Sequence, residues 1–109
     1  MIEPHYEDLL DVRSMRRLSK ILKMGAYASL CCSNANEGRT IDGIITGTGL
    51  GCTADTYAFL NNLIQREEHL LTPTAFIQST HNTLSGTLGI MLCNHGYNMT
   101  WSQRTFSFY

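Results

Sequence analysis

The side chains able to do chemistry are four cysteines (Cys31, Cys32, Cys52 and Cys93) and four histidines (His5, His69, His81 and His95). The cysteines form no CxxC pair and have no zinc-ligand spacing. Their even number allows two disulfides, but buried thiols in a reducing compartment fit better. Cys31 and Cys32 are adjacent on an expected helix, face different directions and read as packing residues. Cys52 falls near an expected helix N-terminus, where the macrodipole lowers a thiol pKa. It is the best thiol nucleophile by local argument, with an inert buried thiol as the favoured alternative. Among the histidines, His81 stands between Thr80 and Asn82-Thr83. That setting suits a general base, and equally a hydrogen-bonded packing histidine, which is the more common case. No H-E-x-x-H or similar pattern supports a metal, so no metal site is expected.

Gly47-Thr48-Gly49-Leu50-Gly51, between an expected strand and an expected helix, has the context of a dinucleotide fingerprint. The spacing fails. From Gly47 the third glycine position is Cys52, and from Gly49 it is Ala54. No Gly-Lys-Ser/Thr follows, which removes a phosphate-binding loop as well. A tight turn using glycine's tolerance of positive φ is the simpler reading, and no cofactor is expected.

These residues need elements to position them. A helix is expected from about Ser14 to Asn34, with Met15, Leu18, Leu22, Gly25, Ala28 and Cys32 as its apolar stripe. Arg13, Arg16, Arg17, Lys20 and Lys23 lie mostly off that stripe, as a solvated face or a site for an acidic carrier protein. Gly38 ends the segment. A short strand, Asp42 to Thr46, has Ile44 and Ile45 as its core. A second helix starts near Thr53 or Asp55 and runs to about Glu68, burying Tyr57, Leu60, Leu63 and Ile64. A third helix opens at Thr72-Pro73, with proline at the first helical position. Its stripe is Phe76, Ile77, Thr80, Leu84, Leu88, Met91 and Leu92. Gly86 and Gly89 inside it each cost about 1 kcal/mol against alanine, which implies close packing by another backbone. Gly96 breaks it, and Tyr97 to Ser102 is a second strand. The order helix, strand, helix, helix, strand is an α/β pattern in one compact unit of 109 residues. Ile44, Ile45, Phe76, Ile77, Leu84 and Leu88 are the expected core.

Composition excludes some roles. The net charge is -1, so neither nucleic acid nor an anionic membrane is an expected partner. No segment has the apolar length of a membrane span, and Met1 to Asp11 carries four acids and no Lys or Arg, unlike a secretory signal. A cytoplasmic location is expected. Asn98-Met99-Thr100 matches a glycosylation sequon, which has no meaning without secretion.

Three segments in order carry a family resemblance. Asp42-Gly43-Ile44-Ile45-Thr46-Gly47-Thr48-Gly49 resembles the strand and glycine turn of β-ketoacyl synthases. Thr72 to Gly86 resembles their stretch of proline, apolar residues, asparagine, small residues and glycine. Gly96-Tyr97-Asn98-Met99-Thr100-Trp101-Ser102 resembles the Gly-Pro-Asn-x-Thr-x-Ser strand leading into the nucleophile. The match covers roughly residues 14 to 108. The Thr72 to Gly86 segment is most similar to a divergent Bacteroidetes-type branch linked to aryl-polyene and flexirubin-like pigment pathways.

The resemblance implies part of the N-terminal half of a thiolase-like fold, with the third helix buried and the second strand at a dimer interface. It implies a homodimer or heterodimer with a synthase-type subunit, an acyl carrier protein as partner, and acyltransferase chemistry of fatty-acid or polyketide type. It places substrate or interface residues at Phe76, His81, Asn82, Asn98 and Thr100. The departures are equally informative. The catalytic cysteine position falls on Thr105, after Gln103 and Arg104. Threonine is a far weaker nucleophile near neutral pH. The family's two assisting histidines come from the second half of the fold, and its first strand has no counterpart in Met1 to Val12. The expectation is therefore a fragment or a truncated interface piece, non-catalytic as isolated, like a chain length factor. The alternatives are a transferase using Cys52 or Thr105, and a small α/β interaction module without acyl chemistry.

Overall fold

The computed structural model describes residues 2–66, 69 and 71–107. The chain forms two compact units, Met1–Thr40 and Ile41–Tyr109.

The first unit has a 3-10 turn at Tyr6–Asp8, then helix α1 (Val12–Met15) and helix α2 (Lys20–Ala35). One continuous helix from Ser14 was expected, but the chain breaks at Ser19, whose ψ of 167° is extended. Continuing the helix would stack Arg13 on Arg17 and Arg16 on Lys20 at i, i+4, where like charges destabilise. Leu22 and Ala26 are buried in α2, while Ala28 and Cys32 are exposed. The inward stripe is thus rotated from the expected one, to Leu22, Ala26, Ser29 and Ser33. Cys31 is exposed too, so neither vicinal cysteine is a packing residue in this chain. Leu10 completes the buried residues of this unit, the Tyr6 and Tyr27 rings meet edge-on at 5.6 Å, and Lys20 pairs with Glu3.

The second unit comprises β1 (Gly43–Thr48), α3 (Thr53–Gln65), α4 (Pro73–Ser79), α5 (Thr83–Met91), β2 (Tyr97–Ser102) and a closing 3-10 turn (Arg104–Phe106). β1 runs two residues past its expected end, so Gly47 belongs to the strand and not to the turn. The expected end of the second helix, Glu68, lies outside the described residues. β1 and β2 are parallel, in register from Gly43 opposite Tyr97 to Thr48 opposite Ser102. A parallel pair requires a crossover, which the three helices supply. α5 packs on both strands, and α3 packs chiefly on α4.

The expected third helix is two helices. Thr80 is extended at ψ 144°, and a run of hydroxyls takes over the local carbonyls. Thr80 and Thr83 both donate to the Ile77 carbonyl, and Ser79 donates to that of Phe76 at 2.6 Å. Side-chain donors of this kind compete with the helical backbone ladder. α5 ends at Met91, before Gly96. Cys93 adopts a left-handed φ of 49°, and the Asn94 and Cys93 amides bond the Gly89 and Ile90 carbonyls at 2.9 and 3.2 Å. This is a Schellman turn with cysteine where glycine is usual. Gly96 serves a different purpose, since a Cβ there would lie 2.1 Å from the Asp42 carbonyl oxygen.

Successive strand residues face opposite ways. Ile44, Thr46, Asn98 and Thr100 face α5. Ile45, Tyr97, Met99 and Trp101 share the other face and are exposed, which removes Ile45 from the expected core. Phe76 and Ile77 are more than half exposed and leave it as well. Leu84 is half-buried and Leu88 buried. On α3 the inward residues are Cys52 at its cap, Thr56, Phe59 and Leu63, whereas Tyr57, Leu60 and Ile64 are exposed. The close approach of another backbone expected at the two glycines is not what they meet: at Gly89 a Cβ would sit 3.2 Å from the Asn98 side-chain nitrogen, and Gly86 faces open space.

Leu88→Ala should destabilise the fold by about 2–4 kcal/mol, the usual cost of emptying a leucine site. Ile45→Ala should change stability far less. Chemical denaturation of both variants checks this, and equal losses would contradict the assignment of faces.

Candidate functional site

An open cleft of about 800 Å3 lies between the α3–α4 pair and the α5–β2 layer. Leu50 to Cys52, Thr56 and Ser79 to Asn82 form one side of it. Ser85, Gly86, Asn98 to Thr100 and Ser102 form the other. Five residues singled out from sequence therefore meet here: Cys52, His81, Asn82, Asn98 and Thr100. Phe76 does not; its ring meets that of Phe59 at 5.7 Å and belongs to the packing of α4 on α3.

The central contact of the cleft is one that sequence reasoning passed over. Ser85 is 1% exposed, and its hydroxyl lies 2.8 Å from that of Thr100. The Asn98 side-chain amide donates to the Ser85 carbonyl at 2.8 Å. The available signal was a polar residue three positions before Leu88, on the face of the helix that has to be buried. Asn98 and Thr100 thereby fix α5 to β2.

His81 lies in the break between α4 and α5, not inside a helix. It is exposed, and among the described residues its ring has no hydrogen-bond partner. That differs from the bonded packing histidine favoured from sequence, and the ring lacks the orienting group that a catalytic base uses. Its Cβ packs on Gly51, where an added Cβ would approach it to 3.1 Å. Gly51 also has φ +65°, so both space and backbone call for glycine. Asn82 is the N-cap residue of α5 but makes no side-chain cap bond.

Cys52 is the N-cap residue of α3 and is only 6% exposed. Burial pushes its thiol above the ordinary value of 9.0, and the Asp55 carboxylate adds to the shift. The lowering expected from the helix dipole is overturned, because removing a thiolate from water costs more than the helix end returns. The thiol at the cleft is a poor nucleophile.

Thr105 lies elsewhere, in the 3-10 turn that follows β2. It lines a second cleft of about 630 Å3 with Gly49, Leu50, Ser102, Gln103, Arg104 and Phe106. The two clefts adjoin at Leu50 and Ser102. Ser107 braces the turn: its hydroxyl donates to the Thr48 carbonyl at 2.6 Å and accepts the Gln103 amide at 2.9 Å. Arg104 takes a φ of 42°, a conformation uncommon for a residue with a side chain. Thr105 is exposed, and among the described residues no histidine lines its cleft. Among the described residues, no group of three or more His, Cys, Asp or Glu is placed to hold a metal. No helix among them is long and apolar enough to cross a membrane.

A raised thiol pKa has a definite sign in stability. Its contribution is fully present below the pKa of the unfolded chain and is lost as pH rises through the folded value. The melting temperature of the native sequence should therefore fall more steeply above pH 9.0 than that of Cys52→Ala. Parallel curves from pH 7 to 11 would show that the Cys52 thiol is not held out of water.

The geometry agrees with known proteins. No curated protein matches the chain. A solved structure does: the ketosynthase ApeO in complex with its chain length factor ApeC, from Xenorhabdus doucetiae. One chain of that complex superposes with a TM-score of 0.78 at 26% sequence identity over 92% of this chain. This chain spans 40% of that one. The fold is a partial thiolase-like α/β fold. The family described as beta-ketoacyl synthase, N-terminal domain, matches residues 4–100, from before α1 to within β2. The match runs through both compact units, and the chain belongs to that family.

Proposed function

We propose that this chain is the N-terminal part of a β-ketoacyl synthase-like protein acting in fatty-acid- or polyketide-type biosynthesis, and that it is non-catalytic by itself. The observation that carries this reading is Thr105. It is exposed in the turn that follows β2, with no histidine lining its cleft among the described residues, and the resemblance of Gly96 to Ser102 puts the family's nucleophile at this residue. A hydroxyl in that setting does not accept an acyl chain from a thioester at a useful rate near neutral pH. The role is then that of a chain length factor, which pairs with an active synthase and shapes the space for the growing chain. The likeness to a complex of a ketosynthase with its chain length factor supports this pairing. The resemblance of Thr72 to Gly86 to the aryl-polyene and flexirubin branch suggests pigment biosynthesis as the setting.

Several further assignments follow from the same proposal. The family match across 4–100 supports reading the two units as pieces of a single domain, 1–109. His81, Asn82, Asn98 and Thr100, which line the cleft, are proposed as substrate residues, and Phe76, outside it and more than half exposed, as an interface residue. A cytoplasmic location suits four free thiols, three of them exposed. The acyl carrier protein is assigned to the basic side of α1 and α2. Arg13, Arg16, Arg17 and Lys23 lie within eleven residues whose fifth cation, Lys20, pairs with Glu3, and acidic proteins are steered to such basic stretches.

Two measurements test the proposal. Incubation with acyl- and malonyl-carrier protein should leave Thr105 and Cys52 unmodified by mass spectrometry. Thr105→Cys should not confer malonyl decarboxylation, since the residues assisting that step are not in this chain. An acyl adduct on either native residue, or decarboxylation by the single variant, would overturn the non-catalytic reading. Binding of carrier protein should weaken at least about fivefold in Arg16→Glu/Arg17→Glu, as expected for a charge-steered contact. Unchanged affinity would move the docking site elsewhere. A chain that binds neither carrier protein nor a synthase-type subunit would favour an interaction module without acyl chemistry.

A further inference from the structure

α3 and α4 are bound to each other far more than to anything else in their unit. The Phe59 and Phe76 rings meet across them, and the Thr56 hydroxyl donates to the Ser79 carbonyl at 2.8 Å. α5, by contrast, belongs to the strands, fixed by Ser85 to Asn98 and Thr100. The α3–α4 pair joins this second body through two short connections. One is Gly49 to Cys52, leaving β1; the other is Thr80 to Asn82, entering α5. Neither is helical or extended over its length, and both line the same cleft. They also touch: the nearest neighbours of a Cβ built on Gly51 are the Cβ and Cα of His81, at 3.1 and 3.5 Å.

We propose that α3 and α4 move as one body about the Gly51–His81 contact, opening and closing the cleft over Ser85 and Thr100. Two joints in contact define a pivot, because a rotation there carries both ends of the pair without stretching either connection. Few terminal residues absorbing the backbone change is the usual construction of a hinge. Local hydroxyl bonds suit the purpose. Thr48 accepts the Gly51 amide at 2.9 Å and Thr80 donates to the Ile77 carbonyl at 2.9 Å, bonds local to each joint, whereas Thr83 of α5 donates to that same α4 carbonyl across the second joint and gives up this bond as the bodies turn. The inference needs neither the family assignment nor any acyl chemistry.

Cys52 reports the motion, since it is buried, lines the cleft and caps α3. Pulsed alkylation of the full chain, read by peptide mass spectrometry, gives its labelling rate as denaturant is raised. A hinge opening exposes little surface, so labelling at low denaturant should vary weakly with concentration and run about tenfold or more ahead of global unfolding. Gly51→Ala should speed it about tenfold, because the new methyl meets His81 in a strained backbone conformation. Adding His81→Gly should slow it again by removing the atom struck.

Labelling with the full denaturant dependence of circular-dichroism unfolding would overturn the proposal, as would a native rate equal to that of exposed Cys93. Unchanged labelling in a folded Gly51→Ala would overturn it too. Should that variant fail to fold, the denaturant dependence of the native sequence decides alone.

Discussion

Ser85 carries the second unit. Its hydroxyl meets Thr100, its carbonyl receives the Asn98 amide, and its burial is nearly complete. α5 is thereby tied to β2 through polar groups, one turn before Leu88 supplies the apolar contact. Such pairs contribute about 1 kcal/mol each when made, and more is lost when one partner is left buried and unbonded. They also fix geometry more tightly than apolar packing does. The α5–β2 layer is the fixed wall of the cleft, and the parallel register of β1 and β2 is fixed behind it. The position of α3 and α4 then depends on the two joints.

Much of this was legible in the sequence, and the failures have a common cause. β2 was read to the residue, and Thr72-Pro73 opens α4 as proline chemistry dictates. Cys52, chosen for its place at a helix N-terminus, and His81, Asn82, Asn98 and Thr100, which lie in the segments carrying the family resemblance, do gather at one cleft. Periodicity, however, reports where apolar residues recur, not whether the backbone stays continuous. Thr80 and Thr83 end a helix by taking a carbonyl, and no hydrophobic pattern registers that. The same holds at Ser19, where charge crowding outweighs an otherwise acceptable helical run. Ile45, Phe76 and Tyr57 were expected inside because they are large and apolar. A sheet of two strands has only one face covered here, so four of its five large apolar residues, Ile45, Tyr97, Met99 and Trp101, remain in water.

Cys52 and Thr105 show why a nucleophile is a property of surroundings. The thiol has the right element in a buried place that suppresses the thiolate. The hydroxyl has the exposure that the thiol lacks, in a braced turn after β2, with a weaker nucleophilic atom. The two adjoining clefts keep these halves apart.

The uncovered face of the sheet has an optical consequence. Trp101 is the sole tryptophan, and it stands beside Met99 and Tyr97 with 54% of its surface exposed. Its indole emission therefore reports the polarity of that face and of almost nothing else. In the chain by itself the emission maximum lies toward the red. Any layer that settles over Ile45 and Met99, from whatever source, draws it toward the blue and restricts its quenching by iodide. The molecule thus carries a built-in fluorophore at the surface it leaves bare, and its assembly can be followed in solution without a label.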